Sequence, residues 1–237
     1  MTGATGNVYV GLHEFNDMSF AIHFLRSSDL FLDVGANIGS YTVLASGVAG
    51  SKTISFEPVY KTVKALEANI EINNLSEKVK VYNCALGSTV GTLKFTSELD
   101  TINHVAADEK DVKLIEVPVL TVDTVLAKEC PQLIKIDVEG FETEVIKGAN
   151  ETLKNSSLKA IIIELNGSGN RYGFNELLIH KILLGFGFHP FNYDPFERKL
   201  VEVQVSGTHN TIYIRDIDFV EKRLRTAAHF EVFNRFI

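Results

Sequence analysis

The stretch Leu30-Phe31-Leu32-Asp33-Val34-Gly35-Ala36-Asn37-Ile38-Gly39, continuing as SYTVLASGVAG to residue 50, decides the fold. Residues 30–35 are an unbroken apolar run apart from one acid, and they end in a glycine turn. That pattern predicts a strand buried on both faces, as in a parallel sheet. Residues 38–50 then read as a helix. The turn between them is not the GxGxxG dinucleotide fingerprint, because its glycines stand four apart with Asn37 in the middle. Asn tolerates a left-handed backbone better than other non-glycine residues, so a tight turn survives there. Gly35 and Gly39 let a ligand approach the backbone. Asp33 at the strand end repels a pyrophosphate and suits a cationic group.

Outward from this turn the same alternation repeats. Residues 52–58 read as a second strand stopped by Pro58, and 59–74 as an amphipathic helix with Val59, Val63, Leu66 and Ile70 on one side. Residues 79–86 are expected as a third strand, 132–140 as a fourth with a glycine turn, and 159–165 as a fifth. Helices are expected over 141–153 and 174–187. Residues 91–95 and 115–120 look like short extra strands around a polar stretch, 96–113, and 122–128 like one or two helical turns. Residues 188–193, 199–205 and 211–216 are expected to close the sheet as antiparallel strands, followed by a basic helix near 221–225. Strands alternating with helices imply a mostly parallel α/β sheet covered on both faces. Such sheets bind ligands beyond the carboxyl ends of their strands.

Those strand ends carry acids. Glu57, 18 residues after Gly39, is placed to accept hydrogen bonds from both hydroxyls of a ribose, with Pro58 turning the chain behind it. Asn83, Cys84 and Ala85 follow the third strand, where a base would lie; Cys84 reads as a small buried hydrophobe. In LIKIDVEGFE (133–142), Lys135, Asp137 and Glu139 alternate with apolar residues. Asp137 and Glu139 project the same way if the strand persists to Glu139. Two such carboxylates position a substrate, act as general base, or hold Mg²⁺. Lys135 reads as an ion-pair partner of Asp137. Glu164 and Asn166 end the fifth strand beside them.

DVGANIGSYT (33–42), FEP (56–58), CALG (84–87) and KIDVEGFETEVIKGA (135–149) together resemble the FkbM family of S-adenosylmethionine-dependent methyltransferases, across roughly residues 11–215. The resemblance implies a Rossmann-like class I methyltransferase fold, with a seven-stranded sheet in the order 3-2-1-4-5-7-6, its last strand antiparallel and helices on both faces. The chain is expected to divide into an N-terminal cap segment over 1–29, a methyltransferase domain over 30–216 with an acceptor-side insertion near 96–113, and a C-terminal helix and tail over 217–237. Residues 33–39 would wrap the methionine part of S-adenosylmethionine, Glu57 and Pro58 would hold the ribose, and residues 83–85 would flank adenine. Asp137 and Glu139 would face the methyl group and the acceptor. The implied reaction is O-methylation of a hydroxyl on a sugar, glycan or secondary-metabolite acceptor.

An alcohol is a weak nucleophile at neutral pH, so a base is expected among Asp137, Glu139, Glu164 and His104. His209 precedes a terminal strand and is expected to line the mouth with Glu164 and Asn166. The other histidines stand in no acid-rich motif and read as structural or surface residues. A Mg²⁺ site at the strand-end carboxylates is possible but not favoured, since no DxD-like or histidine-rich ligand set is visible. Two alternatives stay open: a NAD-dependent oxidoreductase on a similar sheet, and a non-catalytic module that binds a nucleoside ligand.

Composition bounds the rest. The chain has 237 residues, 45% hydrophobic and 22% charged, with 23 basic and 30 acidic residues and a net charge of −7. Nucleic-acid partners are not expected of so acidic a chain. Two cysteines without a CxxC fit a reduced cytoplasmic protein rather than a disulfide scaffold. No apolar run is long enough to span a bilayer, so no membrane partner is expected. The five acids at the expected strand ends account for most of the charge excess: without them 25 acids face 23 bases.

Overall fold

The computed structural model describes residues 11–97, 103–106, 113–204 and 210–237. Its centre is an eight-stranded sheet. The strands are β1 (Leu30–Val34), β2 (Lys52–Phe56), β3 (Val79–Tyr82), β7 (Leu133–Ile136), β8 (Ala160–Glu164), β9 (His189–Asp194), β10 (Lys199–Glu202) and β11 (Asn210–Ile214). Their spatial order is β10-β9-β11-β8-β7-β1-β2-β3. Counted within this sheet and without β10, that is 3-2-1-4-5-7-6. β11 runs antiparallel to both β8 and β9. The eighth strand, β10, is the return arm of a hairpin with β9 and extends the sheet by one edge.

Helices cover both faces. On one side Leu32, Val34, Ile134, Ile136, Ile161 and Ile163 pack under α4 (Val122–Leu126), α5 (Glu142–Lys147), α6 (Asn150–Lys154) and α7 (Glu176–Gly185). On the other, Phe31, Leu133, Ile162 and Ile212 meet α1 (Phe15–Phe24) and α8 (Ile217–Arg225). The helix after β1 is α2 (Ser40–Val43), which continues as a π-type turn over Leu44–Val48. α3 (Tyr60–Ile72) packs Leu66 and Ile70 against Ala36 and Leu75.

Three local expectations are corrected. The third strand stops at Tyr82 rather than running to 86. Asn83 turns its amide back onto the carbonyls of Glu57 and Pro58, each at 2.9 Å, and β4 (Ala85–Leu86) joins a separate three-stranded sheet with β5 (Gly91–Thr96) and β6 (Leu114–Leu120). The fourth strand ends at Ile136, and three residues on Glu139 takes a left-handed backbone, φ 55°. Asp137 and Glu139 therefore do not share a strand face. The helix expected over 141–153 is two short helices broken at Gly148, where a Cβ would lie 2.0 Å from the Gly87 carbonyl oxygen. The tail also adds a small hairpin, β12 (Glu231–Val232) with β13 (Arg235–Phe236).

Candidate active site

The carboxyl ends of β1, β2, β7 and β8 open into one cavity of about 290 Å³. The β1 turn forms its floor. The N–H groups of Gly35 and Ala36 both donate to the Phe56 carbonyl, which closes the turn against β2. Gly35 has φ 82°, and a Cβ there would sit 1.7 Å from the Asp137 carbonyl oxygen. Only glycine lets the β1 and β7 turns meet this closely. Asn37 adopts φ 50°, the left-handed conformation expected of it.

Two buried acids bracket this turn. Asp33 is 2% exposed, and its Oδ2 accepts from the Thr42 hydroxyl at 2.6 Å. Burial pushes its carboxyl up to about 6, against the Thr42 hydrogen bond and the Lys135 charge. Glu57 is 8% exposed and accepts one backbone N–H on each oxygen, from Asn37 at 3.1 Å and from Val59 at 2.9 Å. Burial pushes it up to about 7 despite those two donors.

A second acid group lines the same cavity. Asp137, Glu139 and Glu164 each bring a carboxylate oxygen within 4.8 Å of the others. The two residues of KIDVEG thus converge through a turn, not along a strand. Three oxygens so placed share protons or take a hard cation such as Mg²⁺. Burial first and the Asp137 charge second raise both Glu139 and Glu164 above the usual carboxylate range. Lys135, 1% exposed, donates to Asp137 Oδ2 at 3.1 Å. Burial pulls its ammonium down, but the Asp137 and Glu14 carboxylates outweigh that and hold it above an ordinary lysine.

The expected site residues divide clearly. Asp33, Gly35, Ala36, Asn37, Glu57 and Pro58 line the cavity. So do Cys84, Ala85, Asp137, Glu139 and Glu164. Gly39 does not; it starts α2 at φ 95°, where a Cβ would press to 2.4 Å from Leu66. Asn83 braces the Glu57–Pro58 backbone instead of facing the cavity. Asn166 is exposed, and its side chain accepts from the Ser168 N–H at 2.9 Å. His104 is buried beside the cavity, while its neighbours Asn103 and Val105 supply the lining. His209 and the segments 98–102 and 107–112 lie outside the described residues.

Several residues at or beneath the cavity were not singled out in the sequence. His13 and Glu14, from the segment before α1, also line the cavity. Tyr41 donates to Glu14 Oε2 at 2.5 Å. Phe95, Val105 and Phe141 form an apolar wall, pinned where Tyr172 donates to the Val105 carbonyl at 2.6 Å. Glu142 is buried beneath the β7 turn, and its Oε1 accepts from Val138 and Gly140, both at 3.1 Å. Its place three residues after Glu139, at a helix start, was the available clue.

A family model described as the methyltransferase FkbM domain matches residues 33–190. The chain belongs to this family. Among its relatives, methyltransferase sdnD of Sordaria araneosa is 28% identical over 172 residues, covering 58% of this chain and 66% of the relative. Hexuronic acid methyltransferase AglP of Haloferax volcanii is 29% identical over 157 residues, covering 65% of this chain and 62% of the relative. The chain thus spans just under two thirds of the length of these curated relatives. A Streptococcus mutans protein solved in complex with SAH shares the fold, with a TM-score of 0.50, 12% identity, and coverage of 84% of this chain and 94% of that one. The family match holds the β1 turn, Glu57 and the KIDVEG segment, whereas Glu14 and Asn210 flank it on either side.

Proposed function

We propose that this FkbM-domain chain transfers a methyl group from S-adenosylmethionine to a hydroxyl of a sugar, glycan or secondary-metabolite acceptor. One observation carries this: buried Asp33 and Glu57 bracket a glycine turn that lines the same cavity as the gathered carboxylates of Asp137, Glu139 and Glu164. The donor set fits the cofactor. Acids suit a sulfonium and ribose hydroxyls, and they disfavour the pyrophosphate of NAD.

When bound, S-adenosylmethionine supplies a methyl group carried on a positively charged sulfur. Glu57 keeps lone pairs beyond those given to Asn37 and Val59, and these accept the ribose hydroxyls. Cys84 and Ala85 leave room for the flat base. Asp137 and Glu139 orient the acceptor hydroxyl, and a carboxylate of the trio takes its proton. Glu139 and Glu164, raised by burial and by the Asp137 charge, are stronger bases than ordinary carboxylates. Phe95, Val105 and Phe141 exclude water while the acceptor oxygen is aligned. The name of the Haloferax relative, a hexuronic acid methyltransferase, supports a sugar-type acceptor. Mg²⁺ is not needed in this scheme, because Lys135 already balances Asp137.

Isothermal titration with S-adenosylhomocysteine and with NAD tests the cofactor. Binding of the former alone is expected, and tight NAD binding without it would sink the proposal. Against a neutral glycoside acceptor, Glu139→Gln is expected to slow methyl transfer about a hundredfold while S-adenosylhomocysteine still binds. Unchanged transfer in both Glu139→Gln and Asp137→Asn would show those roles to be wrong.

A further inference from the structure

Six carboxylates line the cavity: Glu14, Asp33, Glu57, Asp137, Glu139 and Glu164. A cofactor of the proposed kind ends in an amino acid, and its own carboxylate must enter this acidic space. It needs a cation there. Among the described lining residues the only basic side chains are Lys135 and His13.

Lys135 is held in a fixed place. It sits on β7 beside Asp33 of β1 in the parallel register. Its Nζ donates to Asp137 Oδ2 at 3.1 Å and to Asn210 Oδ1 at 3.2 Å, and lies 5.3 Å from the centre of the Tyr41 ring. Behind these partners, Glu14 Oε2 accepts from the Tyr41 hydroxyl at 2.5 Å and from Asn210 Nδ2 at 2.6 Å. With its NH₂ on Glu14, the Asn210 amide must turn its oxygen toward the ammonium. An ammonium has three N–H donors. Two go to Asp137 and Asn210, which leaves the third for an oxygen entering the cavity.

The location along the sheet agrees. Cys84 and Ala85 follow β3, Glu57 ends β2, the Gly35 turn ends β1, and Lys135 and Asn210 belong to β7 and β11. A long ligand whose ribose meets Glu57 and whose base meets Ala85 sends its other end toward Lys135.

We propose that Lys135 binds the α-carboxylate of the cofactor's amino-acid end, with Glu14, Asn210 and Tyr41 as positioning residues that hold the ammonium in place. This rests on S-adenosylmethionine being the cofactor. The subsite is completed from outside residues 33–190, by the segment before α1 and by the first residue of β11. The competing role for Lys135 is to neutralise Asp137 alone.

The two roles separate in binding, with no acceptor needed. S-Adenosylhomocysteine carries the amino-acid end; 5′-methylthioadenosine has the same nucleoside and a thioether but lacks that end. Both are titrated calorimetrically into the full chain and its variants, with thermal melts as a check on folding. Lys135→Met is expected to lose about tenfold or more in S-adenosylhomocysteine affinity, the worth of one charge-assisted hydrogen bond, and to hold 5′-methylthioadenosine within about twofold. Glu14→Ala should move the same ratio by a smaller factor, and Glu14→Gln, which keeps an acceptor for Tyr41 and Asn210, should restore it. An affinity ratio unchanged in both Lys135→Met and Glu14→Ala would overturn the subsite and leave the cofactor assignment standing. If Lys135→Met does not fold, Glu14→Ala, on a half-buried side chain, decides alone. A wild-type chain that binds neither compound overturns the cofactor assignment, and the subsite with it.

Discussion

Glu142 shows how much a single buried acid shapes this site. It hydrogen-bonds the Val138 and Gly140 N–H groups with one oxygen, and so fixes the turn on which Glu139 adopts its left-handed backbone. Burial pushes its carboxyl from 4.5 up to about 7, although those N–H donors pull the other way. The folded chain therefore keeps this proton up to about pH 7, whereas the unfolded chain releases it near 4.5. Stability from this group is complete below the lower value and is lost as pH rises through the higher one. Glu142→Gln keeps an acceptor for both N–H groups and removes the buried charge. It is expected to raise the unfolding free energy at pH 8 by roughly 3 kcal/mol, at about 1.4 kcal/mol per pH unit, and to leave pH 4 nearly unchanged. Urea melts at the two pH values measure this. Asp33, Glu57, Asp137 and Glu139 were legible in the sequence because each follows an apolar run with a glycine or proline turn. Glu14 was not, since its role depends on contacts with Tyr41 and Asn210, the latter 196 residues away.

α1 is the element that the sequence left unassigned, as part of a cap segment. FNDMSFAIHF buries Met18, Phe20, Ala21, Ile22 and Phe24 together. A helix apolar nearly all round shows little periodicity, so it gives no amphipathic signal. It packs on the π-type turn, β9 and α8, and so holds the His13–Glu14 segment against the cavity. Phe20 is fully buried, stacked on Phe24 at 5.5 Å and edge-on to Tyr193 at 5.6 Å. Phe20→Ala is expected to cost about 3 to 5 kcal/mol of stability in denaturant titration. A loss under 1 kcal/mol would mean that α1 is docked more loosely than its burial implies. The central strands were legible for the opposite reason: runs such as AIIIE at β8 pack against helices on both sides and admit little polarity before their ends. Strand ends were harder. Nothing in the side-chain pattern of residues 79–86 announces that Asn83 bonds back to Glu57 and Pro58 and passes the chain to a second sheet.

At the scale of the molecule the net charge of −7 acquires a location. The five strand-end acids all line one cavity, and Glu14 joins them from the N-terminal side. Lys135 offsets part of this charge, and the proton-retaining tendencies of Asp33, Glu57, Glu139 and Glu164 offset more. Enough negative potential is expected to persist above neutral pH to favour a cation entering from solvent. S-Adenosylmethionine has one more positive charge than S-adenosylhomocysteine and is otherwise nearly the same shape, so the pair reports on the field. At pH 8 the affinity ratio should favour S-adenosylmethionine at low salt. It should fall a few-fold between about 50 and about 500 mM NaCl, as the screening length drops well below about 10 Å. The affinity of S-adenosylhomocysteine, which lacks the sulfonium charge, should hardly move over the same range. A ratio independent of salt would show that the long-range field of the rim does not act on the sulfonium, and would leave only the contacts of individual acids to account for any preference.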